Sequence, residues 1–392
     1  MKATSERALL MIPGPIVFDP AVLRAMSIPT ASHVGPEFIG IFGKALEGLR
    51  KVFLSETGQP FVVAGSGTLA MDMAAANLIE GGDRVLVVNT GYFSERFAAI
   101  CQRYGAQVVQ AKAALGDVPP LEEVEAELRK GRFKLMTVTH VDTSTGVATD
   151  VKALGELAAR YGALSVVDGV CATAGMEFRQ EEWGIDVYLT ASQKAIGVPP
   201  GLALLVVSPK ALDAFEKRRA PVANYYADFS NWLPIMRAYE ERRPAYFGTP
   251  PVNLIYALEE SIRQILSEGM EARFARHRRL SQAFKAALEA LGLRQVPLRP
   301  QIASDTMSAV YYPEGVDSSL LEKVKENGVI LAGGLHPDIK DRYFRIGHMG
   351  AVTEGDILAT VGALEKALAS LGYKMEAGAG LRAAQAILLE TA

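Results

Sequence analysis

Cysteine is almost missing from this chain. Its 392 residues contain two, Cys101 and Cys171, too few for a disulfide framework and in no metal-binding spacing. Long hydrophobic runs are missing too. The longest, such as LALLVVS at 202–208, have the length of a strand and fall far short of a bilayer span. The residues before Pro13 lack the apolar stretch of a secretory leader, and the ending Leu389-Glu390-Thr391-Ala392 is not a peroxisomal tripeptide, so the expected location is the cytoplasm. No sign of charge dominates: 41 Lys and Arg face 44 Asp and Glu, for a net charge of -3. That balance points to neither nucleic acid nor an anionic membrane as a partner. Internal repeats and low-complexity blocks are likewise absent. What remains is an ordinary globular composition, 49% hydrophobic and 22% charged, long enough for one large and one smaller domain.

Short β-branched runs alternate with helical patterns over the first two thirds. They are FVVAG, RVLVVNT, AQVVQA, KLMTVTHV, LSVVDGV, VYLTA and LALLVVS. Amphipathic segments such as LEEVEAELRKG and VKALGELAARYGA lie between them, the latter closed by glycine as a helix C-cap would be. Strands that are apolar throughout and separated by helices predict an α/β domain, its mostly parallel seven-stranded sheet buried on both faces. After a long helical pattern near 251–291, the strands SAVYYPEG, VILAGG and YFRIGHM are fewer, as in a smaller α+β domain. The expected organisation is an N-terminal arm over 1–20, a large domain over 21–265, a small C-terminal domain over 266–374, and a tail over 375–392 ending in a short helix.

Three strand ends carry candidate chemistry. In AGSGTLAMDMAAANL, a strand runs through Gly65-Ser66-Gly67-Thr68 into a helix, and such a start offers backbone amides and two hydroxyls to a phosphate. The Gly65-x-Gly67-x-x-Ala70 spacing also fits a dinucleotide fingerprint, which would make the chain an NAD-dependent dehydrogenase. That reading needs an acid at the end of the next strand, yet Asp83 precedes RVLVV and the strand closes on Asn89-Thr90. A plain helix N-cap is the remaining alternative. Asp168 closes the apolar run LSVVD and so faces the crevice where α/β sheets bind ligands, unless it is a turn or cap residue. THVDTSTGV places His140, Asp142, Thr143, Ser144 and Thr145 at another strand end, as a binding loop or as turn chemistry.

The fourth candidate is Lys194 in YLTASQKAIGVPPG. A surface amine is the commonest fate of a lysine, but this one follows an apolar strand and precedes the stiff pair Pro199-Pro200. It is also open to a Ser192/Lys194 dyad with a neutral lysine as base, or to a covalent anchor for pyridoxal phosphate. The anchor reading needs an acid for the pyridine nitrogen, an anion cradle and a flat ring partner. Asp168, the Gly65–Thr68 loop and an aromatic near Phe93 would supply them.

GSGT, THVDTSTG, VVDGV, SQKAIGVPPG, YFGTPP and YFRIGHMG stand in one order along the chain. In them the chain resembles the class V, fold-type I aminotransferases that depend on pyridoxal 5′-phosphate, in the branch holding the alanine–glyoxylate and serine–pyruvate or serine–glyoxylate enzymes. The resemblance runs from Pro13-Gly14-Pro15 to Gly347. It implies that Lys194 forms the Schiff base and moves the α-proton, and that Asp168 keeps the pyridine nitrogen protonated. Phe93 would stack on the ring, Ser66, Gly67, Thr68 and Gln193 hold the phosphate, and Thr143 contact the ring hydroxyl. Arg345 would fork the substrate carboxylate, with Gly14 beside the substrate. Tyr246 and Thr249 would reach the phosphate of a neighbouring subunit, which makes the active unit a homodimer. Relatives often carry His-Arg where this chain has His33-Val34. Neither cysteine stands where a desulfurase nucleophile would. The resemblance implies transfer of an amino group from alanine or serine to glyoxylate. An aminophosphonate transaminase or another class V enzyme would share the same anchors.

Overall fold

The computed structural model describes residues 8–390. The Met1–Arg7 part of the expected arm and the last two residues of the tail lie outside the described residues. Seven strands form the central sheet: β1 (Gln59–Ala64), β2 (Arg84–Asn89), β3 (Gln107–Lys112), β4 (Leu135–Thr139), β5 (Leu164–Asp168), β6 (Val187–Ala191) and β7 (Leu202–Val207). Their spatial order is β1-β7-β6-β5-β4-β2-β3. β7 pairs antiparallel with both of its neighbours, and every other pairing is parallel. The seven apolar runs of the sequence are these seven strands. β4, β5, β6 and β7 are buried at every position, because helices cover both faces of the sheet. β3 is the exception, exposed at Gln107 and Lys112, as befits an edge that water must cover.

The helical pattern near 251–291 is two helices, Val252–Glu268 and Met270–Ala290. Gly269 breaks it with φ +84, a conformation that costs glycine little and other residues much. From Leu280 onward, apolar side chains enter a second core with the helices Ser319–Glu326, Glu354–Ser370 and Ala379–Leu389. An antiparallel sheet of Met307–Tyr311, Tyr343–Gly347 and Ala332–Gly333 completes this unit. Leu9–Leu10 pairs in parallel with Val329–Ile330, and Met11 is buried in the second core, so the chain start is stitched to the C-terminal unit. The expected C-terminal helix packs there too. Its first turn is held by Glu365, whose carboxylate accepts from the amides of Gly378, Gly380 and Leu381.

A third apolar cluster lies where the two units meet. Ala195, Cys171, Ala172 and Val141 come from the sheet side, and Tyr343, Met307 and Met349 from the other. It underlies the strand ends that carry the candidate chemistry.

Candidate active site

The turns after β1, β2, β4, β5 and β6 open on one edge of the sheet, the carboxyl edge of its parallel strands, where α/β sheets form their ligand crevice. A cavity of about 310 Å³ lies there. Gly14 lines it from the chain start, Ser66, Gly67 and Thr68 from the turn after β1, and Phe93 from the turn after β2. Thr143, Asp168, Gln193 and Lys194 follow from the next three strand ends, and Arg345 reaches in from the C-terminal unit. Tyr246 and Thr249 do not line it: both are exposed on the surface. A wider cleft of about 960 Å³ reaches Ile196 and Gly197, just past the Lys194 turn, but none of the expected site residues lines it.

Lys194 is buried, 8% exposed, and its Nζ donates to the carbonyl of Pro13. Burial holds its pKa below the usual lysine value, and the Arg345 guanidinium adds to the shift, while Asp168 opposes it. The turn is fixed by its backbone, with Gly197 N–H donating to the Lys194 carbonyl at 2.7 Å. Ser192 is fully committed to that turn: its hydroxyl donates to the Pro199 carbonyl at 2.8 Å and accepts from Leu202 N–H at 3.2 Å. A Ser192 nucleophile is therefore excluded by its hydrogen bonds. The buried Arg273 guanidinium ties the turn to its neighbour, donating to Ala195 O and to Ala174 O, each at 2.8 Å.

Asp168 is 3% exposed, and its Oδ1 accepts from Val170 N–H at 2.9 Å. Burial raises its pKa from 3.8 to about 7; the Asp142 carboxyl adds to this, and Lys194 and Arg96 oppose it. A cationic heterocycle set against this carboxyl would favour its ionised form. Because the folded pKa lies above the unfolded one, this group's contribution to stability is complete below about pH 4 and is lost as pH rises through about 7. The cofactor-free protein should accordingly lose stability relative to Asp168→Asn across that window, read as a melting temperature that falls faster with rising pH. Thermal melts of both proteins at several pH values check this, and a constant difference would refute it.

Most of the THVDTSTG loop is architecture. Asp142 is fully buried, and its carboxylate accepts from Ser144 N–H at 2.9 Å and from Phe93 N–H at 3.1 Å, so it caps the helix Tyr92–Arg103. The Ser144 hydroxyl accepts from Tyr92 N–H at 3.0 Å, and Thr145 donates to Thr90 O at 3.0 Å. His140 is buried against Tyr188 at 2.9 Å, and burial lowers its pKa to about 4, so it stays neutral. Beside Val141, only Thr143 of the loop's polar residues lines the cavity. Its carbonyl also accepts from Arg345 Nη1 at 3.3 Å, and Arg345 Nε donates to Gly333 O at 2.9 Å. Among the described residues Arg345 has no carboxylate partner, although burial lowers its pKa. A half-buried guanidinium in that state calls for an anion from outside the chain.

Three observations test whether pyridoxal phosphate fits. Ser66 occupies the N-cap of the helix Gly67–Leu78 yet makes no capping bond, so its hydroxyl and the first-turn amides remain free for an anion. A Cβ on Gly67 would come within 2.7 Å of Val170, so the backbone is closely approached there. The buried side-chain oxygen of Gln193 has no partner among the described residues, leaving an amide that can turn either end to a ligand. The residues fit. The dinucleotide alternative does not: Asp83 lies at the opposite end of β2, where its carboxylate accepts from Glu80 N–H at 2.8 Å.

Gly14 is the tightest neighbour of the lysine. A Cβ there would sit 2.6 Å from Lys194 Cδ and 2.8 Å from Nζ, at a backbone φ of +128 that side chains rarely adopt. Gly14→Ala should therefore displace the amine and lower kcat about 100-fold, and its strained backbone should lower the melting temperature as well. Steady-state kinetics beside a thermal melt checks it.

Sequence reasoning overlooked Arg96, which also lines the cavity. Its position three residues after Phe93 on one helix, hence on one face, was the available signal. Met71, Val170, Ala332 and Leu335 fill out the wall as apolar packing that no motif announces.

A buried lysine, a strand-end aspartate and a free helix start at one sheet edge, with an arginine from a second unit, define a fold-type I enzyme of pyridoxal phosphate. Its family is aminotransferase class V, whose model matches residues 23–346, and the chain belongs to it. Relatives include alanine–glyoxylate aminotransferase 1 of Saccharomyces cerevisiae, 42% identical over 87% of this chain and 91% of its own. The L-aspartate–glyoxylate aminotransferase of Paracoccus denitrificans is 36% identical over 96% of this chain and 95% of its own. Among solved structures, ureidoglycine–glyoxylate aminotransferase from Bacillus subtilis superposes with a TM-score of 0.91 at 30% identity, covering 98% of both chains. The chain is an aminotransferase that depends on pyridoxal 5′-phosphate, acting on amino acids and 2-oxo acids. Among the described residues, no helix is long and apolar enough to cross a membrane.

Proposed function

We propose that this enzyme moves the amino group of alanine or serine to glyoxylate, giving glycine, by two half-reactions on one site. The observation that carries the donor side is the lone position of Arg345. It is the one guanidinium that the C-terminal unit brings to the cavity among the described residues, and it is free of carboxylates. One fork suits one carboxylate, which favours small monocarboxylic substrates. The acceptor rests on the relatives: the alanine, aspartate and ureidoglycine enzymes differ in donor, and glyoxylate is common to their names.

Ser66, Gly67, Thr68 and Gln193 would hold the cofactor phosphate, Phe93 would face its ring, Thr143 its hydroxyl, and Asp168 its ring nitrogen. When bound, pyridoxal phosphate supplies an electron sink for the pair left by the departing α-proton. Lys194 would anchor the cofactor, and its Nζ, when unprotonated, would take the proton from the substrate α-carbon. Its buried setting supports that role, since an ammonium could not act as base. Arg345 holds the substrate carboxylate so that the α-hydrogen faces Nζ.

Tyr246 and Thr249 serve the site of a second copy of the chain. Their exposure, and that of the nearby Tyr225, supports a homodimer in which each protomer completes its partner's phosphate cradle. The proposed division is a cofactor-binding large domain over 21–265 and a small C-terminal one over 266–374, and the cytoplasm is the proposed compartment.

A panel of amino donors with glyoxylate or pyruvate as acceptor tests this reading, with product identified in each. Glycine formed fastest from alanine or serine supports it, whereas preference for aspartate or an aminophosphonate would overturn the donor assignment. Arg345→Met should raise KM for alanine about 100-fold with a smaller effect on kcat, because a charge-assisted fork is lost in ground and transition states alike.

A further inference from the structure

Arg96 stands where two parts of the cavity meet. Its guanidinium carbon lies 4.9 Å from the Phe93 ring centroid and 5.1 Å from that of Tyr92. Nη2 donates to Tyr92 Oη at 3.3 Å, and Nη1 donates to Thr68 Oγ1 at 3.1 Å. No carboxylate pairs with it among the described residues. The bond to Thr68 has a chemical consequence. A guanidinium has donors only, so it occupies a lone pair of the hydroxyl and leaves the hydroxyl proton to point elsewhere. Among the described residues that proton meets no acceptor. Thr68 lies in the first turn of the helix Gly67–Leu78, beside amides that also only donate. The Arg96 guanidinium, the Thr68 hydroxyl proton and the first-turn amides are then all donors, backed by one positive charge. The matching ligand group accepts at every oxygen and carries about two negative charges, as a phosphate monoester does.

We propose that Arg96 is the positioning residue of the phosphate cradle: held in place by the Phe93 and Tyr92 rings, it fixes the Thr68 hydroxyl as a donor and supplies the cradle's positive charge. The proposal rests on the reading that Ser66–Thr68 receives the cofactor phosphate. It assigns Arg96 to the phosphate alone, not to the ring chemistry. The arginine joins the two parts through one planar group: its edge meets Thr68 while its face covers Phe93. A lysine ammonium can do the first and not the second.

The experiment is a binding titration of the full-length, cofactor-freed chain with pyridoxal phosphate and, separately, with pyridoxal, which lacks the phosphate. Arg96→Met should weaken pyridoxal phosphate about 10- to 100-fold and change pyridoxal by less than about threefold. Arg96→Lys should restore part of the phosphate-dependent affinity. In a Thr68→Val background the effect of Arg96→Met should shrink, since the two act through one hydrogen bond. Equal weakening of both ligands, or no weakening of pyridoxal phosphate, would overturn the proposal. If Arg96→Met does not fold, Arg96→Lys carries the same comparison, with selective weakening in support and equal or no weakening against. A wild-type chain that binds both ligands alike would instead refute the cradle reading itself, and the two failures are thereby told apart.

Discussion

Lys194→Ala should lower turnover by at least about 10⁴-fold, because one side chain supplies both the covalent anchor and the base. The variant should keep its fold. Alanine leaves a small space beside Gly14, and the turn is held by Gly197 N–H on the residue 194 carbonyl and by Arg273 on Ala195 O, contacts that the lysine side chain does not make. Borohydride should fix the cofactor to the wild-type protein on the peptide containing Lys194 and should fix nothing to the variant. An adduct on a different lysine, or an undiminished rate, would contradict the assignment. Partial rescue by small exogenous amines would separate the base from the anchor, since a free amine can move a proton without tethering a cofactor.

Asp168→Asn is expected to cost about 10² to 10³-fold in kcat, with KM for alanine changed far less. The amide is nearly isosteric and can still accept from Val170 N–H, so the turn after β5 survives the change. What it cannot do is carry the negative charge that keeps a ring nitrogen protonated in a buried setting. The raised pKa of the aspartate makes the same point from the other side: burial disfavours its ionisation until a cation is placed against it. The loss should therefore appear in kcat, as a transition-state effect, and Asp168→Glu should recover little because the longer arm does not fit the same turn. Single-turnover rates for the α-proton step would measure it, and a variant retaining more than half of wild-type kcat would sink the role.

The sheet was legible because its strands are apolar at nearly every position and are bounded by glycine, proline and helical patterns. Burial on both faces imposes that pattern. Asp168 and Lys194 were legible for a related reason: a charged residue closing an apolar strand has few places to go except the crevice. The THVDTSTG loop stayed open between binding and turn chemistry. Its hydroxyls and Asp142 are spent on capping the helix that carries Phe93, and residue types alone do not separate a cap from a contact. Arg96 stayed hidden because a helical arginine usually faces water, and only its packing on Phe93 and its bond to Thr68 set it apart. The break at Gly269 and the pairing of Leu9–Leu10 with Val329–Ile330 depend on long-range packing, which local periodicity does not encode.

Under the proposed function the amino group rests on the enzyme between two separate half-reactions. Incubating the loaded enzyme with alanine alone, with no acceptor present, tests it directly. About one equivalent of pyruvate per active site should form and the visible absorbance band should disappear; later addition of glyoxylate should restore the band and release a matching amount of glycine. Pyruvate that forms only when both substrates are present, or that accumulates with ammonia beyond one equivalent, would contradict it.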